Sequence, residues 1–247
     1  MLNLRDLSES YRSQIGVLQR ERSRPAVFAP PQAPDASYRG AVNRFPKSLA
    51  LVAGLVSALG FAPLGWWPLT LACFALLLHL VSEATDIHSA LARGYWFGVG
   101  HFTIGLNWIA GAFQFQDSMP HSLGWVAVVL LSFYLAVYPA MATGLAWRWG
   151  RAKPVAFILF FSAAWIVTEY LRATMFTGFA WNPLGVVLVP LGTLPQLSAH
   201  IGTYGLSAVV ALMGGALFAL ARRRWTLAAA VLLPVATLSI FPKSIPM

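Results

Sequence analysis

Charge is what this chain has least of. Only 10% of its 247 residues are Asp, Glu, Lys or Arg, and only eight of those are acidic. A soluble domain of this length needs a far more polar surface, whereas 58% of these residues are hydrophobic. Cysteine is scarcer still. The single Cys73 rules out a disulfide framework within the chain, and no Cys/His cluster has metal-ligand spacing. No metal or cofactor is therefore expected. There is also no Gly-x-Ser-x-Gly nucleophile elbow and no His-x-x-x-x-Asp acyltransferase motif. The net charge of +9 is not a nucleic-acid signature, because the basic residues fall in a tail and in short loops rather than on one face. These absences leave a polytopic membrane protein, an all-α bundle.

Residues 1–47 stand apart. Leu4, Leu7, Tyr11, Ile15 and Leu18 recur at helical spacing among Arg5, Arg12, Arg20, Arg22 and Arg24. Such a helix suits an anionic leaflet on the cytoplasmic side, and a disordered tail fits the same residues. Pro25 to Ser37, with Pro30, Pro31 and Pro34, reads as a linker. No cleavable signal peptide is expected, since the apolar run starts too late.

From Ser48 the hydrophobic runs follow one another: Ser48–Ala62, Trp67–Val81, Ala90–Phe113, Ser122–Trp147, Pro154–Arg172, Ile201–Ala221 and Trp225–Phe241. The first two are short for a span of about 20 residues and read as a hairpin. Arg93, the trio Arg148, Arg151 and Lys153, and Arg222 to Arg224 then fall on one side with the basic tail. The positive-inside rule makes that side cytoplasmic, with the N-terminus in and the C-terminus out. Residues 48–243 form the transmembrane domain in this reading, with an apolar outer loop at 173–203.

The stretch from Trp165 to Gly185 holds the site candidates. Glu169 and Arg172 lie three apart, on one face of an apolar helix, where ionisable groups are costly. After them Gly178, Pro183 and Gly185 interrupt an aromatic run containing Phe176, Phe179, Trp181 and Asn182. That composition suits an interfacial loop. Asn107 and Trp108, at the end of the third run, are expected at the same depth. Candidates for lipid access or for docking a domain are thus Asn107, Trp108, Glu169, Arg172, Gly178, Trp181 and Asn182; a structural ion pair with an anchoring loop fits the same residues. His101, inside the third run, reads as a hydrogen-bonded packing residue or as an intramembrane base. Gly94 and Gly98 are spaced for close helix approach.

Several stretches together resemble the membrane region of apolipoprotein N-acyltransferases. They are Gly60-Phe-Ala-Pro63, Gly94-Tyr-Trp-Phe-Gly98 with Gly105-Leu-Asn-Trp108, Trp165 through Arg172, Thr177-Gly-Phe-Ala-Trp181 and Gly202-Thr-Tyr-Gly-Leu-Ser207. Ala180 departs from the pattern, which has proline there. The resemblance implies a bacterial inner-membrane enzyme with a phospholipid acyl donor and a lipoprotein acceptor. It also implies a periplasmic nitrilase-like domain carrying a Glu-Lys-Cys set, after the seventh helix. This chain reaches Met247 where that domain would begin, with 244–247 as its start, and Cys73 lies mid-segment, remote from Lys47, Lys153 and Lys243. The expectation is a membrane half that is silent alone. The alternatives are one subunit of a split acyltransferase with a separate nitrilase-like chain, or a lipid-accessible binding or scaffold protein.

Overall fold

A computed structural model describes residues 45–115 and 120–240. The tail 1–44, Asp117 and the last residues, including Lys243, lie outside the described residues, as do the readings made of them. Among the described residues every regular element is helical.

Proline and capping chemistry set where helices begin. Pro46, Pro68 and Pro154 stand in the first turns of α1 (Pro46–Ser57), α2 (Trp67–Ser82) and α7 (Pro154–Thr174), where a missing N–H costs nothing. Asp86 caps α3 (Ile87–Gly105) by accepting the Ser89 N–H at 2.9 Å. That cap starts α3 before the apolar run. Arg93 is therefore not a loop charge: it is buried within α3 and donates to the Leu80 carbonyl.

The third and fourth hydrophobic runs are each divided. At Leu106 the chain leaves α3 and re-enters a short helix, α4 (Asn107–Ala112). The fourth run is α5 (Ser122–Leu135) followed by α6 (Val137–Gly150). Pro139 has no N–H for the Leu135 carbonyl, so the ladder skips there while the path continues. Ser122–Gly150, Pro154–Thr174 and Leu194–Ala221 are long and apolar enough to cross a membrane. At 21 residues, α7 is about 32 Å long, close to the hydrocarbon thickness. Pro46–Gly60, Trp67–Ser82 and Trp225–Thr237 are shorter apolar helices. The last two helices are α8 (Ser198–Ala221), interrupted at Gly202 (φ 71°), and α9 (Trp225–Ile240).

Glycine permits the closest packing. A Cβ on Gly54 of α1 would collide with the Phe97 carbonyl oxygen of α3, and one on Gly94 with Thr143 of α6. Helix α3 is thereby held between α1 and α6, backbone against backbone. Phe74 of α2 centres the core, with Trp165 of α7 at 4.8 Å and Phe97 of α3 at 5.3 Å between ring centroids. Helix α8 packs on α2 and α7. A second apolar cluster, with Phe102, Leu106, Val128, Leu135 and Tyr138, sits under α4.

Candidate functional site

Helix α7 delivers two ionisable side chains to its final turns. Glu169 is 5% exposed and Arg172 3%, with the carboxylate and guanidinium 3.5 Å apart. Their shorter bonds run elsewhere. Glu169 Oε1 accepts the Leu184 N–H at 2.8 Å, and Arg172 Nη1 donates to the Trp181 carbonyl at 2.7 Å. The guanidinium also lies over the Phe102 ring, 5.3 Å from its centroid. The pair is therefore a latch on the segment that follows it. Each charge satisfies a backbone group that would otherwise be dry.

That segment is tightly turned. Phe176, Gly178 and Asn182 all have positive φ, at 55°, 71° and 51°. A bulky residue in that region is uncommon and needs its surroundings to hold it. A Cβ on Gly178 would strike the Ala173 carbonyl oxygen, so glycine is required there. The Phe179 N–H returns to the Arg172 carbonyl at 2.8 Å, closing the turn onto α7.

Two further bonds come from distant sequence. Asn182 Nδ2 donates to the Gly105 carbonyl. That carbonyl is free because the Ile109 N–H bonds to Leu106 at the break between α3 and α4. Ser207 of α8 accepts the Gly185 N–H at 2.9 Å. From Leu184 to Leu191 the chain winds as a 3₁₀ turn, burying Leu184, Val187 and Leu188. The apolar loop thus folds back onto the bundle, one of the two arrangements open to an apolar, proline-broken stretch.

Of the sequence candidates, Glu169, Arg172 and Trp181 meet directly, and Asn182 lines the same cavity as the ion pair. Trp108 joins them through its ring, 5.3 Å from that of Trp181. Gly178 shapes the turn. Asn107 is exposed at the start of α4 and bonds to none of the others. Sequence reasoning does not single out Ser207, whose only signal is its place at the end of the Gly202–Ser207 stretch, or the Gly105 carbonyl, which has no side chain to read. His101 is buried and bonded through Nδ1 to Ser57 Oγ at 2.7 Å. It lines, with Trp165, Thr168, Glu169 and Arg172, a small cavity behind the latch. Cys73 is a free, buried thiol in α2. No group of metal-ligating side chains occurs among the described residues.

The outer face of the latched segment is aromatic and open: Trp108, Phe176 and Trp181 are 46%, 82% and 60% exposed. Fold and site together define a helical membrane protein that fixes an aromatic loop with a buried ion pair. Residues 53–216 match the family model described as the apolipoprotein N-acyltransferase N-terminal domain. The apolipoprotein N-acyltransferase of Ralstonia nicotianae is 36% identical over 208 residues, 81% of this chain and 40% of that protein. That of Nitrosomonas europaea is 33% identical over 164 residues, 66% of this chain and 33% of that protein. The chain belongs to the apolipoprotein N-acyltransferase family, by its N-terminal domain. It spans two-fifths or less of the length of these relatives.

Proposed function

We propose that these 247 residues are the membrane part of an apolipoprotein N-acyltransferase of a bacterial inner membrane. The reaction moves an acyl chain from a phospholipid to the N-terminal cysteine amine of a lipoprotein. The observation that carries this reading is the latch: Glu169 and Arg172 hold Trp181–Leu184 by its backbone and leave Trp181, its ring tilted against that of Trp108, facing outward. A rigid, uncharged aromatic surface suits an acyl chain or the apolar face of a catalytic domain, on this polypeptide or a separate one. Glu169, Arg172, Gly178 and Asn182 position that surface, and Trp108 and Trp181 present it. Seven membrane segments, with the N-terminus in and residue 240 out, place the latch at the outer end. Arg148, Arg151, Lys153 and Arg222–Arg224 then lie at the cytoplasmic end, as the positive-inside rule requires.

The chemistry itself is assigned outside these residues. Cys73 is buried among apolar side chains, with no lysine partner among the described residues, and does not serve as an acyl carrier. The test joins residues 1–247 to the C-terminal part of the Ralstonia relative and measures N-acylation of a lipoprotein in membranes. The chimera should acylate and the 247 residues alone should not. A folded, correctly inserted chimera without activity would overturn the proposal, as would thioester formation on Cys73. Cysteine labelling at both ends reads the orientation in the same membranes.

A further inference from the structure

At the end of α7 opposite the latch, three connections meet. The Phe157 ring in the first turn of α7 lies 6.1 Å from that of Phe218 in the last turn of α8. The α6–α7 junction is therefore beside the α8–α9 junction. Trp147 of α6 donates its indole N–H to the Ala84 carbonyl at 3.1 Å, and Arg222 reaches Glu83 at 2.7 Å, so the α2–α3 connection joins both.

The two acids at this end are already committed, Glu83 to Arg222 and Asp86 to the start of α3. Arg148, Arg151, Lys153, Arg223 and Arg224 are exposed and form no ion pair among the described residues. Like charges gathered in this way repel one another, and an external anion relieves them. Trp149 and Trp225 stand exposed beside Arg148 and Arg224, as aromatic rings at headgroup depth do.

Arg223 is a separate observation. Its N–H returns to the Leu220 carbonyl at 2.8 Å, and the Arg224 N–H to the Ala219 carbonyl at 2.9 Å. This double return ends many helices, with its left-handed position usually held by glycine. Here that position is Arg223, at φ 56°. For the backbone, arginine is the strained choice. The side chain is exposed, so packing does not repay the strain. Its charge is what glycine would lack.

We propose that this end binds the headgroup phosphates of anionic phospholipids, with Arg151 and Lys153 on one side and Arg223 and Arg224 on the other. The lipid is a ligand of the fold here and not an acyl donor. Residues 173–199, at the latch end, contain no charged side chain and offer a phosphate no such partner. The inference goes beyond the acyl-transfer reading and does not rest on it.

The test places the full chain in nanodiscs of phosphatidylcholine with phosphatidylglycerol and counts the lipids it retains on extraction by native mass spectrometry. Phosphatidylglycerol should be retained beyond its proportion in the disc, and less so as ionic strength rises. Arg223→Gly should lower that preference about fivefold, the worth of one cation near an anionic surface. Its thermal stability in phosphatidylcholine alone should hold or rise, because glycine suits the turn. Arg224→Gln and Lys153→Gln, at positions without positive φ, should lower the preference by a similar factor. No preference in the wild type, or one unchanged in these folded variants, would overturn the proposal. So would inorganic phosphate in phosphatidylcholine discs raising thermal stability as much as phosphatidylglycerol does, since that marks a site for free anions. Lipid retention is read without acylation, so an inactive chimera leaves this proposal standing, and a lost preference leaves the acyl-transfer reading standing.

Discussion

Glu169–Arg172 and Glu83–Arg222 are both acid–arginine pairs, at opposite ends of the bundle. The second is the shorter, at 2.7 Å against 3.5 Å. It is also wet: its side chains are 26% and 36% exposed, and Arg222 shares its guanidinium with His79 and Ser82. It staples the end of α2 to the end of α8 and holds no loop. The longer pair is dry and gives its best hydrogen bonds to backbone groups of the following segment. Distance alone therefore ranks the pairs wrongly. What decides is the surrounding dielectric and what else each charge satisfies.

The largest effect should come from cutting the dry pair. Glu169→Leu or Arg172→Leu alone leaves a buried charge unpaired and should cost about 3–5 kcal/mol, read as thermal stability in detergent or nanodiscs. The double replacement should recover part of this and not all. It still leaves the Leu184 N–H and the Trp181 carbonyl unmet, at about 1–3 kcal/mol each. In the chimera it should also lose N-acylation. Full recovery with full activity would reduce the latch to an ordinary ion pair.

The turn beside the latch comes next. Gly178→Ala puts a Cβ at φ 71° against the Ala173 carbonyl. It should cost about 1–3 kcal/mol and weaken activity of the chimera more than its fold, because the strain falls on the segment bearing Trp181. Gly192 also has positive φ, at 61°, but a Cβ added there would meet nothing within 4 Å. Gly192→Ala therefore separates strain alone from strain plus collision.

At the other end, Glu83→Ala or Arg222→Ala should change stability by about 1 kcal/mol or less, and less again in high salt. A loss as large as that of the dry pair would erase the contrast between the two ends.

Half of this contrast is legible in the residues alone. Glu169 and Arg172 announce themselves, since two ionisable groups at helical spacing in an apolar run need a reason to be there. Trp181 and Asn182 follow from the aromatic, proline-broken composition. The partners that make the latch are backbone groups, at Leu184, Trp181 and Gly105, and a sequence does not display them. Ser207 is a neutral residue 22 positions from the N–H it accepts, and no periodicity picks it out. The burial of Arg93 is not visible in the residues, because it follows from the Asp86 cap, which starts α3 at Ile87, ahead of the apolar run. The break at Leu106 is hidden for a related reason. Nothing in the run from Ala90 to Phe113 forbids a helix, and the ladder yields there where Asn182 takes the Gly105 carbonyl.

Asp86 supplies the smallest expected effect, at the same end as Glu83 and Arg222. The Ser89 N–H, and after it the Thr85 hydroxyl, hold its carboxyl below the ordinary 3.8. A carboxyl whose pKa is lower folded than unfolded stabilises the fold above the unfolded value. That contribution fades as pH falls from about 3.8 through the lower folded value. Between pH 5 and 8 the cap should therefore add no pH dependence. In acid, thermal stability of the wild type should fall slightly more than that of Asp86→Asn, which caps without titrating. The same comparison made on Asp86→Ala should show a lower stability at every pH and the same flat acid limb as Asn. An acid limb as steep in Asp86→Asn as in the wild type would place the titration elsewhere and leave the start of α3 to its backbone alone.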